Sequence, residues 1–147
     1  MFSAIHSNPK YLLSIFQVID SINPNITIQF NVDGIYIQVM NVCHTCIFNS
    51  LISKSDFESY KIKNNIKIGI TLKYLVKILD LMEPNDTIEF NLKSTDILEI
   101  IRKNKSKTSI YKIKLLDLDY TEFDSSQFDL EYDMKLKVNF NQFQNDI

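Results

Sequence analysis

The chain has 147 residues, of which 45% are hydrophobic, and it carries a formal net charge of −2. This length and apolar content exclude wholesale disorder and predict one domain of ordinary size, and the weak negative charge excludes a protein that coats nucleic acid through bulk charge. Because the sequence has no run of about 18 apolar residues and no signal-peptide pattern, we expect an intracellular protein with no membrane partner.

The first predicted elements are a short strand and a helix. The strand covers residues 2–5, and Asn8 and Pro9 are suited to begin a helix as an N-cap acceptor and a proline in the first helical position. Four apolar residues then recur with the spacing of one buried helical face: Leu12, Ile15, Phe16 and Ile19. Polar residues fall on the opposite face: Lys10, Ser14, Gln17 and Ser21.

Three predicted strands follow the helix, and the same order of elements then recurs. The strands of the first half lie at 26–31, 35–40 and 45–53, with Asp33-Gly34 as a hairpin turn. Strands at 60–63 and 66–70 lead to a second helix, which Thr71 is expected to cap and which runs to about Met82. Three further strands are predicted at 87–92, 97–101 and 108–115. The pattern therefore predicts an α+β domain of two strand-helix-three-strand halves, with two helices side by side on antiparallel sheet.

The composition changes after Leu115. Residues 116–131 are rich in Asp and Glu and show no clear periodicity, which is typical of a connector, and alternation returns just after residue 132. A single strand cannot bury its own apolar face. We therefore expect a first domain at 1–115, an interdomain connector at 116–131 and the opening strand of a second, incomplete domain at 132–147.

The segment Cys43-His44-Thr45-Cys46 is the nearest approach to a metal or redox motif. It lacks a second pair of ligands at suitable spacing, and a redox C-x-x-C would open a helix in a parallel βαβ unit. We therefore expect Cys43 and Cys46 to be small buried thiols in a connector, with no metal and no cofactor. No Ser/His/Asp or paired-carboxylate spacing appears elsewhere, so we expect no catalytic residues and no enzyme activity.

The segment 33–79 resembles the first domain of the PCNA-like sliding clamps. The similarity is carried by Met40 and His44 after the GIYIQ strand, by Phe57 and Tyr60 before the IKIGI strand, and by the KIL end of the second helix. This resemblance implies the clamp-domain fold. It also implies the function of a DNA polymerase processivity factor in DNA replication, which works by encircling duplex DNA rather than by catalysis.

The same resemblance implies the partners. They are double-stranded DNA bound without regard to sequence, a DNA polymerase, other proteins that carry a clamp-binding motif, and a clamp loader. Further copies of the chain would complete a ring, which we expect to be a homotrimer in the full-length protein. The implied location is the nucleus or a viral replication compartment.

The resemblance also assigns a docking pocket for partner motifs with apolar and aromatic anchors. Its residues would be Met40, Val42, His44, Thr45, Ile47 and Phe123. Adaptable Met side chains suit such a surface. The residues alone leave a second interpretation open, in which Met40 and Ile47 belong to the core.

Lysines on the exposed helix faces are the implied DNA contacts. They are Lys10, Lys73 and Lys77, with a weaker set at Lys61, Lys63 and Lys67. The charge pattern alone equally allows ordinary solvated faces. Four positions that are typically lysine in eukaryotic clamps differ here: Leu13, Ser14, Asp20 and Asp80. These departures predict weak, salt-sensitive DNA binding and motivate an alternative, a diverged clamp-fold interaction module that is monomeric and does not encircle DNA.

The last strand of the domain is expected at a sheet edge. An exposed edge bearing Ile110, Tyr111 and Ile113 invites pairing with another chain. In the family that this chain resembles, the corresponding edge joins neighbouring subunits. We therefore expect these three residues at a subunit interface, with packing within the chain as the alternative.

Overall fold

A computed structural model describes residues 1–120 together with Phe123, Asp133, Met134 and Lys137. The described part contains nine strands, two α-helices and one 3-10 turn at Lys54–Asp56. In chain order, the elements are β1 (Phe2–His6), α1 (Pro9–Ile22), β2 (Asn25–Asn31), β3 (Gly34–Met40), β4 (Ile47–Ser53), β5 (Ser59–Ile62), β6 (Ile66–Thr71), α2 (Leu72–Asp80), β7 (Thr87–Leu92), β8 (Ile97–Lys103) and β9 (Thr108–Lys114).

The strands form two antiparallel sheets that exchange strands between the halves. One sheet has the order β5-β1-β7-β8-β9 and the other has the order β4-β3-β2-β6. The strand just before the helix in one half therefore pairs with the strand just after the helix in the other half, β1 with β7 and β6 with β2. This exchange interlocks the halves, so they share one core, and the predicted α+β architecture is confirmed.

The two helices pack against each other and against both sheets. Asn8 caps α1 by accepting the Tyr11 N–H at 3.1 Å, as predicted. Thr71 occupies the N-cap position of α2, but its hydroxyl donates to Asn25 Oδ1 at 2.8 Å instead of capping the helix. The prediction that Thr71 caps α2 is therefore wrong, because a cross-strand amide acceptor takes the hydroxyl. Buried residues of α1, α2, β2, β3, β7 and β8 meet around a void of only about 10 Å³: Leu12, Phe16, Ile28, Phe30, Ile35, Leu75, Phe90 and Leu98.

The β2–β3 turn requires glycine at position 34, where β3 begins. Gly34 has a φ of +149°, and a Cβ there would lie 2.1 Å from the Ile52 carbonyl oxygen. The Tyr60 hydroxyl closes the turn from the core side, at 2.9 Å from Asn31 O and 2.7 Å from Gly34 O. Burial raises the pKa of Tyr60 to about 12, so the hydroxyl keeps the proton that it donates.

His6 is predicted to make the stability of the domain fall in mild acid. The ring is buried, its Nδ1 accepts the Asn8 N–H at 2.9 Å, and burial lowers the pKa of His6 against a smaller opposing effect of Asp56 and Glu58. The unfolded chain binds a proton as pH falls through 6.5, whereas the folded chain resists protonation, so stability is full above 6.5 and declines below it.

Urea-denaturation midpoints at about pH 7.5 and about pH 5.5 check this expectation. The variant His6→Gln should flatten the decline between the two pH values. The exposed His44 provides the control, because His44→Gln should keep the decline of the wild type. An unchanged decline in His6→Gln would show that other groups cause it.

Candidate functional site

Residues 116–120 and Phe123, hereafter the connector segment, run from β6 across the face of the β4-β3-β2-β6 sheet that carries Gln29 and Gln38. The segment starts at β6, where the Leu116 N–H donates to Gly69 O at 2.8 Å. Gly69 leaves room for this approach, because a Cβ there would lie 2.4 Å from Leu116 O and 2.9 Å from Leu118 Cγ. A glycine on an outward position of a strand therefore seats the connector segment.

Two glutamines on neighbouring strands hold the rest of the connector segment. The Gln38 side chain on β3 pairs with the backbone of Phe123, accepting its N–H at 2.8 Å and donating to its carbonyl at 3.1 Å. Gln29 on β2 donates to the hydroxyl of Tyr120. The segment thus crosses β6, β2 and β3 in turn, attached at Gly69, Gln29 and Gln38.

A cavity of about 290 Å³ lies between the connector segment and the ends of β2 and β3. Four of the predicted docking residues line it: Met40, Val42, His44 and Phe123. The other lining residues are Asn23, Asn25, Ile26, Thr27, Gln38, Val39, Asn41, Leu118, Asp119 and Tyr120. Polar and apolar side chains contribute to its walls in similar measure, so the cavity offers hydrogen-bonding groups beside apolar surface to the side chains of a ligand.

Thr45 and Ile47 do not line this cavity. Thr45 belongs to the framework of the β3–β4 turn, where its hydroxyl accepts from Asn41 Nδ2 at 2.9 Å and its N–H donates to Asn41 Oδ1 at 2.8 Å. Ile47 is half-buried and pairs with Met40 across the two strands. Asn41 thus holds a turn in which His44 adopts a φ of 57° and projects toward the cavity rim.

Cys43 and Cys46 are both exposed and free. The expectation of buried thiols is wrong, because the β3–β4 turn protrudes beyond the sheet instead of packing under another element. Within the described residues, no three His, Cys, Asp or Glu side chains come together as a metal site would require.

The helix face opposite the sheets carries the three principal lysines. Lys10, Lys73 and Lys77 are exposed there, and the Lys10 ammonium reaches the Asp80 carbonyl at 3.4 Å, so the start of α1 lies beside the end of α2. The weaker lysine set lies elsewhere. Lys61 on β5 and the following Lys63, whose N–H donates to Met1 O at 3.4 Å, are at the edge of the other sheet, and Lys67 is on the outer face of β6 beneath Tyr120. The structure therefore does not bring the two lysine sets together.

Strand β9 ends the five-stranded sheet and, in the described part, pairs only with β8. Ile110 is 59% exposed and Tyr111 is half-buried, but Ile113 is 6% exposed and belongs to the core. The strand alternation turns Ile113 inward, toward the groove between β9 and α2 that it helps to line, and its place at a subunit interface stays a prediction. A groove of about 480 Å³ runs between β9 and α2, lined chiefly by Tyr74, Lys77, Ile78, Leu81, Tyr111 and Leu116.

The sequence contains no signal that would have identified Gln29, Gln38, Asn41 or Gly69 as site residues. Each lies within a predicted strand or turn whose residue pattern does not set it apart. The described part of the chain also has no helix with the length and apolar character needed to cross a bilayer.

The structure has the features of a clamp domain. Its two halves interlock, its helix pair bears lysines, and its connector segment is held on the outer face of the four-stranded sheet. The family described as "Proliferating cell nuclear antigen, N-terminal domain" has a sequence model that matches residues 1–125, and the chain belongs to this family. The predicted family is confirmed.

Named relatives agree with this assignment. The chain is 26% identical over 132 residues to "Probable DNA polymerase sliding clamp 2" of Paramecium bursaria Chlorella virus 1, covering 89% of this chain and 48% of that protein. It is 24% identical over 140 residues to the "DNA polymerase sliding clamp" of Methanothermobacter thermautotrophicus, covering 95% and 56%. The crystal structure of PCNA from Thermococcus kodakaraensis superposes with a TM-score of 0.80 at 18% identity, covering 84% of this chain and 50% of that one. The chain thus spans about half the length of these relatives.

Proposed function

We propose that this chain is the first domain of a DNA sliding clamp, a polymerase processivity factor in DNA replication. The observation that carries the proposal is that the lysines and the docking cavity lie on opposite faces of the domain. The helix pair presents Lys10, Lys73 and Lys77, while the opposite face of the four-stranded sheet carries the cavity closed by Phe123. Family membership and the names of the relatives support the same function.

The proposed docking partners are a DNA polymerase and other proteins with a short motif of apolar and aromatic anchors. A cavity of about 290 Å³ has room for such anchors but not for a folded domain. Met40, Val42, His44 and Phe123 all line this cavity. Thr45 shapes the turn rather than the wall, and we propose no direct contact for Ile47.

The proposed DNA contacts are sequence-independent and few. Lysines on the helix face would lie near phosphates without reading base edges, which suits sliding. The exposed Asp80 shares this face, and the hydroxyls of Ser14 and Ser21 donate to carbonyls of their own helix at 2.7 Å and 2.6 Å. Contact with duplex DNA should therefore be weak and easily screened.

The salt dependence of DNA binding should fall when a helix-face lysine is removed. Each phosphate contact contributes about 0.9 to the slope of log affinity against log salt concentration, so Lys77→Gln should reduce the slope by about that amount. Fluorescence-anisotropy titrations of labelled duplex DNA at several salt concentrations measure the slope. Lys54→Gln, in the 3-10 turn after β4, removes an exposed lysine outside both lysine sets; it is the matched control and should leave the slope unchanged. Equal effects of the two variants would contradict a helix-face DNA site.

The proposed assembly is a homotrimeric ring opened by a clamp loader, in the nucleus or a viral replication compartment. Ile110 and Tyr111 on the β9 edge, together with the groove beside α2, offer the self-pairing surface within this domain. We assign the protein no catalytic step, metal or cofactor. The competing function is a monomeric clamp-fold module that docks motifs without encircling DNA, which the few helix-face lysines favour.

The deciding experiment loads the full-length protein onto nicked circular DNA and then linearises the DNA. A clamp stays on the circle and slides off the linear product. Release from both forms alike would contradict the proposal. Light scattering separates the competing function, because a single-chain mass at all concentrations favours the monomeric module.

A further inference from the structure

Lys67 and Gln29 hold Tyr120 from two directions. The two residues are opposite each other on β6 and β2 and share the outer face of the sheet. The Lys67 ammonium lies 4.4 Å from the centre of the Tyr120 ring, and the Gln29 amide donates to the Tyr120 hydroxyl. The hydrogen bond fixes the hydroxyl end, while the cation–π contact fixes the tilt of the ring.

Tyr120 is a wall shared by two cavities. Tyr120 lines the docking cavity, and it also lines a second cavity of about 540 Å³ beside β6 and the β7–β8 turn. Leu118 and Thr27 line both cavities as well. A shift of Tyr120 toward one cavity therefore widens the other, so the position of this ring sets the width of the docking cavity.

We propose that Gln29 and Lys67 are positioning residues for the docking cavity, which rests on the docking function proposed above. Neither residue lines the docking cavity, so both act through Tyr120. With Tyr120 held, the connector segment is already ordered when the partner peptide arrives, and less conformational entropy is lost on binding. Lys67, expected from the sequence as a weak DNA contact, thus serves the outer face of the domain.

The first measurement tests, in the absence of any partner, whether Gln29 and Lys67 hold Tyr120 in place. In the NMR spectrum of the full chain, the ring current of Tyr120 should move the methylene protons of Lys67 upfield. Tyr120→Leu should abolish the shift, and Gln29→Leu should reduce it by loosening the ring. Lys67 methylene resonances at ordinary positions in the wild type would overturn the inference, whatever the partner measurements give.

The second measurement is the affinity for a labelled synthetic peptide that carries an aliphatic anchor and aromatic anchors. Lys67→Met should weaken binding by about two- to fivefold, as expected for a surface cation–π contact, and Lys67→Arg should restore it. Lys61→Met, the removal of an exposed lysine from β5, is the matched control and should bind like the wild type.

A double-mutant cycle separates positioning from direct contact. If Lys67 acts through the ring, Lys67→Met should have no further effect in the Tyr120→Leu background. An equal loss in both backgrounds would mean that Lys67 touches the peptide itself and would overturn the inference. A wild type that keeps the upfield shift but does not bind the peptide would instead refute the proposed docking function, so the two failures are distinguishable.

Discussion

Replacing Asp86 with alanine is expected to destabilise the domain by about 2–3 kcal/mol, because the Glu83 N–H and the Arg102 guanidinium lose their charged hydrogen-bond acceptor. The Asp86 side chain is 1% exposed, and its Oδ2 lies 2.6 Å from Arg102 Nε and accepts the Glu83 N–H at 2.8 Å. Burial alone would raise the pKa of Asp86, but hydrogen bonds from Glu83, Asn104 and Arg102 outweigh it and lower that pKa. The carboxylate therefore ties the turn after α2 to β8.

Urea denaturation of Asp86→Ala near neutral pH measures this loss. Glu83→Ala is the matched control, because Glu83 faces the same guanidinium at 3.6 Å but is 73% exposed. An exposed pair is worth about 0–1 kcal/mol, so this control should unfold nearly like the wild type. Equal losses in the two variants would show that burial does not strengthen the Asp86 pair.

The stabilisation that Asp86 provides also depends on pH. Because the folded state lowers the pKa of Asp86, its stabilisation is present above the unfolded pKa and is lost as pH falls through the folded value. This loss lies at more acidic pH than the His6 effect, which begins near 6.5. The His6→Gln variant should therefore keep the acid-side decline that Asp86 causes.

The order of elements was predictable because it depends on local periodicity. The helical spacing of Leu12, Phe16 and Ile19 and the alternation of β2 and β3 are visible within a few residues. Alternation also predicts the two faces of β9, since Ile110 and Ile113 are an odd number of residues apart and must face opposite sides. Tyr111 and Ile113 share the face toward the groove beside α2, and Ile110 lies on the other face.

The outer face of the sheet could not be predicted in the same way. Gln38 bonds to Phe123 across 85 positions, and Gln29 bonds to Tyr120 across 91 positions. Such pairs depend on where the chain returns after β9, which no local pattern encodes. An outward glutamine on a half-buried strand looks like an ordinary solvated residue. The exposure of Cys43 and Cys46 could not be predicted for the same reason, because whether the β3–β4 turn protrudes from the sheet depends on tertiary structure.

Gly69→Ala is expected to weaken peptide docking by about tenfold or more. The added Cβ would lie 2.4 Å from the Leu116 carbonyl oxygen, a backbone atom that cannot turn aside as a flexible side chain would. The connector segment must lift, which breaks the 2.8 Å bond from Leu116 N–H to Gly69 O. Leu118 and Phe123, both walls of the docking cavity, lie further along the lifted segment.

The fold itself should survive this substitution. Gly69 faces outward on β6, and its inward neighbours Ile68 and Ile70 keep their places in the core. The melting temperature should therefore change little while the Kd for the labelled peptide rises, and Lys63→Ala should change neither quantity. Wild-type affinity in Gly69→Ala would show that the connector segment can close the cavity without its close contact with residue 69. A clear fall in melting temperature would show that the connector segment is part of the cooperative folding unit, because losing its contact with Gly69 would then destabilise the core as well.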